Sequence, residues 1–231
     1  MIKKILIISM FFITIIITAY VNTPKYEIIP TMSVPVLNKT IVLDAGHGTP
    51  DEGAQNNEGM TEAKVNLEIA YKTKKLLEEC GAKVILTRSD DNAIYDENAK
   101  TIGQKKVSDI KNRVKIGNES SADIFVSIHL NKISDTRCKG WQTFYNVRNE
   151  NSKKLATKIQ ESLNNTIEIE NKRKPQKLTN IYIMKNVEIP ITIVECGFLS
   201  NKEDANLLKT DEYQEKLAWG IYGGIMKYFE D

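Results

Sequence analysis

Short apolar runs alternate with amphipathic segments from about Asn38 to the C-terminus, and this alternation limits the fold more than any other feature. The strand-like runs are 41–45, 83–87, 124–130, 141–145, 182–184 and 191–194. The segments with helical spacing are 65–80, 107–119, 155–163 and 212–229. Strands that alternate with helices of this length favour a parallel sheet. The sequence therefore predicts an α/β fold: a single domain with a largely parallel, twisted central sheet flanked by helices on both faces.

The first 38 residues differ in character from the rest of the chain. Lys3 and Lys4 precede an apolar run from Ile5 to about Tyr20, a pattern typical of a signal peptide or signal anchor over residues 1–22. Residues 23–38 contain three prolines and little periodicity, which predicts an extended linker. Because flanking lysines remain in the cytoplasm, we expect residues 39–231 to form one exported domain. It would lie at the outer face of the cytoplasmic membrane, in contact with the membrane through the N-terminal segment.

Charge and cysteine content exclude two classes of protein. The chain has 32 basic and 30 acidic residues, a net charge of +2, so it lacks the basic surface of a nucleic-acid-binding protein. Cys80, Cys138 and Cys196 are an odd, widely spaced set that forms neither a disulfide framework nor a CxxC metal motif. A Cys80–Cys138 pair stays open, since export permits disulfides.

Only two histidines occur in the chain, and both follow strand-like runs. His47 lies between Gly46 and Gly48 after the first run, and His129 ends the run 125–129. Open α/β sheets bind their ligands at the carboxyl ends of strands. A lone histidine is more often a hydrogen-bonded structural residue, but two histidines at strand ends predict a metal site.

Carboxylates near these histidines could complete such a site. A catalytic zinc usually has three protein ligands, and two histidines with one glutamate are a common set. Glu62 lies at the start of the first predicted helix, but Glu52 and Glu58 are nearby, and spacing does not choose among the three. Glu195 ends the run 191–194, where burying an unpaired carboxylate is costly. Glu195 is therefore a candidate catalytic base, with an ion pair to a lysine as the alternative.

Four separated motifs carry a family resemblance. They are Leu43-Asp44-Ala45-Gly46-His47-Gly48, Glu62 with Val65-Asn66-Leu67, Ser127-Ile128-His129-Leu130-Asn131, and Val194-Glu195-Cys196-Gly197-Phe198-Leu199-Ser200-Asn201. In this order, over residues 39–230, they resemble the zinc-dependent N-acetylmuramoyl-L-alanine amidases of the third amidase family. The resemblance implies an α/β sheet flanked by helices, with His47, Glu62 and His129 as zinc ligands. It implies Glu195 as the catalytic glutamate, and it selects Glu62 over the two nearby glutamates.

The implied activity is hydrolysis of the amide between N-acetylmuramic acid and L-alanine in peptidoglycan, with Zn²⁺ as cofactor. Asp44 and Asn131 are expected to orient the histidines. Arg88 and Arg113 are expected to contact carboxylates of the stem peptide. Thr49 and the segment Glu62-Ala63-Lys64 depart from the residues usual in the family. A partner protein that orders the metal site is therefore a further expectation.

A membrane signal followed by one catalytic domain, without wall-binding repeats, resembles the germination-specific amidases of spore-forming bacteria. This architecture predicts action on spore-cortex peptidoglycan, before muramic-δ-lactam formation. One alternative is a zinc exopeptidase or deacetylase of the cell envelope. Another is a membrane-tethered wall-binding protein without catalytic activity. A complete ligand set together with Glu195 favours an enzyme.

Overall fold

The computed structural model describes residues 34–230 and shows one six-stranded mixed sheet within that range. Its strands are β1 (Thr40–Ala45), β2 (Lys83–Leu86), β3 (Ile124–Asn131), β4 (Gln142–Tyr145), β5 (Gln176–Lys177) and β6 (Ile191–Phe198). They lie in the order β2-β1-β3-β6-β4-β5. The first four strands in this order are parallel, whereas β4 runs antiparallel to β6 and pairs in parallel with β5. The predicted α/β fold with a largely parallel sheet is confirmed.

Helices cover both faces of the sheet. They are α1 (Glu62–Glu79), α2 (Ile102–Glu119), α3 (Glu150–Thr166), α4 (Tyr182–Asn186), α5 (Lys202–Leu208) and α6 (Asp211–Glu230). Apolar residues of α1, α3 and α6 share one core cluster with Ile41, Val126 and Val194 of the sheet. Residues of α2 and α4 share a second cluster with Val42 and Phe125. The alternation of side chains along each strand therefore supplies two separate hydrophobic cores.

Side-chain caps determine where several helices begin. Thr61 accepts a hydrogen bond from the Lys64 backbone nitrogen and places Glu62 in the first turn of α1. Thr101 and Gln104 form a capping box, so α2 begins at Ile102, five residues before the predicted start. The Asn149 side chain accepts from the Ser152 backbone nitrogen and caps α3.

The prediction of a strand over Tyr182–Met184 is wrong, because this segment lies in α4. Ile183 and Met184 are adjacent in sequence and both buried, at 2% and 1% exposure. A half-buried strand would turn them to opposite faces, whereas one helical turn brings both against the core formed with Phe125. A run of three residues carries no periodicity that distinguishes these two structures.

The part of the predicted linker that is described, residues 34–38, forms a turn packed on the domain. Val36 is fully buried in the core, and the Asn38 backbone nitrogen donates to the Gly81 carbonyl oxygen at 3.1 Å. The described end of the predicted linker therefore packs against the domain, and the boundary at residue 39 stays a prediction. The signal segment, residues 1–22, and the rest of the linker lie outside the described residues.

Two further observations bear on the sequence predictions. Cys80, Cys138 and Cys196 are all free, so the Cys80–Cys138 disulfide left open above does not form in this structure. Within residues 34–230, no helix combines the length and the apolar character needed to cross a membrane.

Candidate functional site

Three neighbouring parallel strands end at one edge of the sheet, and the candidate residues lie at these ends. Ala45 of β1 pairs with Ile128 of β3. His47 follows Ala45 by two residues and His129 follows Ile128 by one, so both histidines lie near the carboxyl ends of these neighbouring strands. In β3 and β6, His129 pairs directly with Glu195. The strand register therefore brings together residues that are far apart in sequence.

His47, Glu62 and His129 form one compact cluster. Ligand atoms from the three side chains all lie within 4.8 Å of one another. Glu62 Oε1 lies 3.3 Å from His47 Nε2 and 2.9 Å from His129 Nδ1. The two imidazole rings meet edge to face, with centroids 5.1 Å apart. Two histidines and a carboxylate in this arrangement could hold a metal ion.

Glu62 is held in place by the backbone around it. Its Oε1 accepts from the Leu130 nitrogen at 3.1 Å and its Oε2 accepts from the Ala54 nitrogen at 2.9 Å. Burial alone would raise the pKa of Glu62, but the hydrogen bonds from His129 and His47 hold it well below its usual range. Glu62 is therefore an anchored carboxylate anion between two imidazoles.

The two imidazoles have different surroundings. Burial would lower the pKa of His129, but its hydrogen bond to Glu62 raises that pKa above its usual value. His47 Nδ1 lies 3.3 Å from Asp51 Oδ2, so its Nε2 faces Glu62. A carboxylate behind a histidine in this way sets the orientation of the ring. Asp51 was not among the residues predicted from the sequence, although its spacing of four residues from His47 in an acidic loop was a visible signal.

Glu195 lies beside this cluster in the neighbouring strand. Its Oε2 is buried and has no hydrogen-bond partner among the described residues. Burial raises the pKa of Glu195 to about 7, against the opposing effect of His129. A carboxylate with a pKa near neutrality is well suited to accept and release a proton.

Arg113 and Arg88, predicted to contact substrate, are buried beneath the site. Arg113 is 2% exposed and donates to Asp44 Oδ1 at 2.5 Å, to Asp109 Oδ2 at 2.8 Å and to the His47 carbonyl at 2.6 Å. Arg88, 3% exposed, donates only to backbone carbonyls, including that of Ala45 at 2.9 Å. Because both guanidinium groups are engaged inside the protein, their placement argues against contact with a stem peptide.

The contact between Arg113 and His47 supports an unusual backbone conformation. His47 has a φ of 63°, in the left-handed region that non-glycine residues rarely adopt. Such conformations persist where the surrounding structure holds them. The Arg113 guanidinium, which bonds both Asp44 and the His47 carbonyl, provides that hold.

Asp44 and Asn131 do not contact the histidine rings as predicted. Asp44 instead accepts from Ser127 and Thr87 as well as Arg113, because its side chain points into the buried network below the site. Its link to His47 runs through Arg113, while its charge helps to raise the pKa of His129. Asn131, at the end of β3, makes no side-chain hydrogen bond within residues 34–230, and its carbonyl accepts from the Leu199 nitrogen at 2.8 Å.

A cavity of about 400 Å³ lies at the same edge of the sheet. It is lined by residues that directly follow β3 and β6, including Lys132, Leu199 and Ser200, and by the loop 56–58. Lys132 Nζ donates to the Gln55 carbonyl at 2.6 Å and ties this loop to the end of β3. Space for a ligand therefore adjoins the strand ends that carry the site.

Comparisons with known proteins agree with this arrangement. The profile of the family described as N-acetylmuramoyl-L-alanine amidase matches residues 41–227. The germination-specific N-acetylmuramoyl-L-alanine amidase of Bacillus subtilis (strain 168) is 40% identical over 199 residues, covering 86% of this chain and 83% of that protein. The N-acetylmuramoyl-L-alanine amidase LytC of the same organism is 32% identical over 90% of this chain and 39% of its own length.

A solved structure shows the same fold. The CwlD amidase from Clostridioides difficile, determined in complex with the GerS lipoprotein, is 46% identical with a TM-score of 0.81. The match covers 84% of this chain and 99% of that chain. The resemblance drawn from the four motifs is thereby confirmed at the level of sequence, fold and activity class. The chain belongs to the N-acetylmuramoyl-L-alanine amidase family and is a hydrolase of that class.

Proposed function

We propose that this amidase is zinc-dependent, that His47, Glu62 and His129 hold the zinc, and that Glu195 is its catalytic base. The observation that carries the proposal is the convergence of three ligand atoms within 4.8 Å beside a buried oxygen of Glu195 that has no hydrogen-bond partner in the described part of the chain. Zinc with two histidines and one glutamate is a common catalytic set.

The residues fit zinc in spacing and in charge. Tetrahedral ligands about 2.0–2.2 Å from a metal stand roughly 3.3–3.6 Å apart, close to the 3.3 and 2.9 Å that separate the imidazole nitrogens from Glu62 Oε1. Two carboxylates, Glu62 and Glu195, share the site. The charge of Glu62 raises the pKa of Glu195, and the charges of both raise the pKa of His129. A divalent cation would compensate this negative charge.

Hydrolysis of the amide requires a proton to move from water to the departing nitrogen. When bound, zinc would act as a Lewis acid that lowers the pKa of water and polarises a carbonyl. Glu195 accepts a proton from the water while the water oxygen forms a bond to the lactyl carbonyl carbon. Glu195 then gives that proton to the L-alanine nitrogen as the carbon–nitrogen bond breaks. The products are a muramic acid carboxylate and a peptide with a free amino terminus.

The substrate source and the setting follow from the relatives. The germination-specific relative supports action on spore-cortex peptidoglycan, where removal of the peptide would precede muramic-δ-lactam formation. The action is extracytoplasmic, as for cell wall amidases among the relatives. The complex of CwlD with a lipoprotein supports a partner protein for this chain as well. Attachment to the membrane through residues 1–22 remains a prediction from the sequence.

Product analysis tests the proposed reaction. Purified protein with zinc is incubated with purified cortex peptidoglycan, and the new chain ends are identified by mass spectrometry. We expect peptides with free L-alanine amino termini and a glycan without new reducing ends. Other new amino termini would indicate an exopeptidase, and released acetate a deacetylase. Either result in place of L-alanine termini would overturn the proposal.

Gly46 offers a prediction on metal affinity. A Cβ at this position would lie 2.3 Å from His129 Cε1 and 2.4 Å from Nε2, so an alanine would displace the imidazole. We expect Gly46→Ala to weaken zinc binding roughly 10- to 100-fold, as loss of support around a ligand does. Zinc titration by calorimetry measures the change.

The control for this variant is Gly103→Ala. A Cβ at Gly103 meets no atom within 4 Å, and this residue lies in α2 away from the site. Gly103→Ala should keep wild-type zinc affinity. Equal affinities for wild type and Gly46→Ala would show that the position of the His129 ring does not matter for binding.

A further inference from the structure

A row of three side chains crosses the sheet at the level of the site. His129 in β3 pairs with Glu195 in β6, and Glu195 pairs with Gln142 in β4. Side chains of directly paired residues lie on the same face of a sheet. Gln142 therefore stands next to Glu195, on the side away from the histidines, and it is 5% exposed.

Arg173 is fixed on this glutamine. Its Nη1 donates to Gln142 Oε1 at 3.1 Å, and its Nε donates to the Lys139 carbonyl at 3.1 Å. The guanidinium carbon lies 4.7 Å from the centre of the Phe198 ring, at the end of β6. Gln142 in turn is held by its Nε2, which donates to the Lys174 carbonyl at 2.9 Å. Two hydrogen bonds and an aromatic face thus fix the plane of the guanidinium.

The charge of this guanidinium has no counterpart nearby. Within residues 34–230, no carboxylate lies at ion-pair distance from Arg173, and its Nη2 has no hydrogen-bond partner. By contrast, Arg113 and Arg137 each bond to aspartates. A partly buried, rigid guanidinium with a free N–H edge is the group that best recognises a carboxylate.

Arg173 lies on the side of the site where the peptide half of the substrate is expected. Glu195 delivers its proton to the nitrogen of the leaving peptide, so the peptide half lies on the Glu195 side of the metal ligands. Gln142 stands two strands from His129, about 10 Å at a strand spacing of ~4.8 Å. Glu195, where the L-alanine nitrogen would lie, is only one strand from Gln142, ~4.8 Å away. Two extended residues span about 7 Å, so a carboxylate on the residue after L-alanine comes within reach of this place.

We propose that Arg173 binds the carboxylate of the stem-peptide residue that follows L-alanine and so makes the enzyme prefer peptides in which this group is free. The inference rests on the proposed function, because it requires the amide of L-alanine to be placed at Glu195. Arg173 determines specificity and takes no part in proton transfer.

Two synthetic N-acetylmuramoyl tripeptides test this role. In both, the second residue is a glutamate joined to the third residue through its γ-carboxyl, and the two substrates differ only in its α-carboxyl, which is free in one and amidated in the other. For wild type with zinc, we expect kcat/KM to be roughly 10- to 100-fold higher for the free carboxylate, the worth of one hydrogen bond to a charged group. In Arg173→Gln this preference should vanish through a higher KM for the carboxylate substrate. Arg173→Lys, which keeps the charge, should retain part of it.

The controls separate this inference from the proposed function. Arg148→Gln, at an exposed arginine before α3, should keep the full preference. If Arg173→Gln slowed both substrates equally, its role would be structural and the inference would be overturned. A wild type that cleaves both substrates equally well would overturn the inference alone. A wild type that releases no peptide from either would overturn the proposed function, and the inference with it.

Discussion

Replacing Glu195 with glutamine is expected to lower the rate of peptide release about 10²- to 10⁴-fold, the usual contribution of a catalytic base. Glutamine keeps the size of the side chain but cannot accept a proton from water. Glu195 lies outside the cluster of three metal-binding side chains, so zinc content should stay at the wild-type level. Single-turnover release of peptide, with zinc measured in the same sample, provides both values.

A matched control is Glu212→Gln, at an exposed glutamate in the first turn of α6 that pairs with Lys216. Its activity should equal that of wild type. If Glu195→Gln retained activity within a few-fold of wild type, another group would have to carry the proton. If Glu195→Gln lost its zinc, Glu195 would be a ligand and not the base.

The second large effect concerns stability. Arg113→Met removes the cation that compensates the buried Asp44 carboxylate, and we expect the free energy of unfolding at neutral pH to fall by about 3–5 kcal/mol. Arg113 and Asp44 are 2% and 1% exposed, so water does not replace the lost contact. Denaturant unfolding of the metal-free proteins measures the difference. The double variant Arg113→Met/Asp44→Asn should recover part of the loss, since the buried carboxylate of Asp44 no longer lacks a cation, while Asp109 still lacks its partner.

The pH dependence of this effect has a definite sign. Burial would raise the pKa of Asp44, but Arg113 holds it below its ordinary value of 3.8 in the folded protein. The stabilisation by this pair is therefore present above pH 3.8 and is lost as the pH falls through the lower folded-state pKa. Without Arg113, burial raises the Asp44 pKa, so the deficit of Arg113→Met should be largest at neutral pH and shrink in acid. A deficit that is constant from neutral to acidic pH would contradict an ionic origin.

The central strands and the strand-end location of the site could be predicted because they depend on local patterns. The runs that became β1, β3 and β6 are mainly apolar, as expected for strands buried on both faces. Strand ends are the usual ligand sites of such sheets. The start of α2 was also encoded locally, in the capping pair Thr101 and Gln104. It was not predicted, because the helical spacing of apolar residues begins only at Val107.

Contacts between distant segments could not be predicted in this way. Glu62 was distinguished from Glu52 and Glu58 only by the family resemblance, because the fold of the loop before α1 decides which carboxylate faces the histidines. Arg113 reaches Asp44 across 69 residues of sequence, and nothing in the helical pattern of α2 indicates a buried cation. Arg173 lies in a segment without periodicity, and only the sheet register places it near Glu195.

The measurement that tests the central claim most directly is the zinc content and peptide release of wild type and Glu62→Gln, prepared identically and dialysed against a zinc buffer. We expect about one zinc per chain and released peptides with L-alanine amino termini for wild type. For Glu62→Gln, whose carboxylate lies between both imidazoles, we expect loss of bound zinc and of release together. Stoichiometric zinc in Glu62→Gln, or undiminished release from metal-free wild type, would contradict the assignment of this cluster as the catalytic metal site.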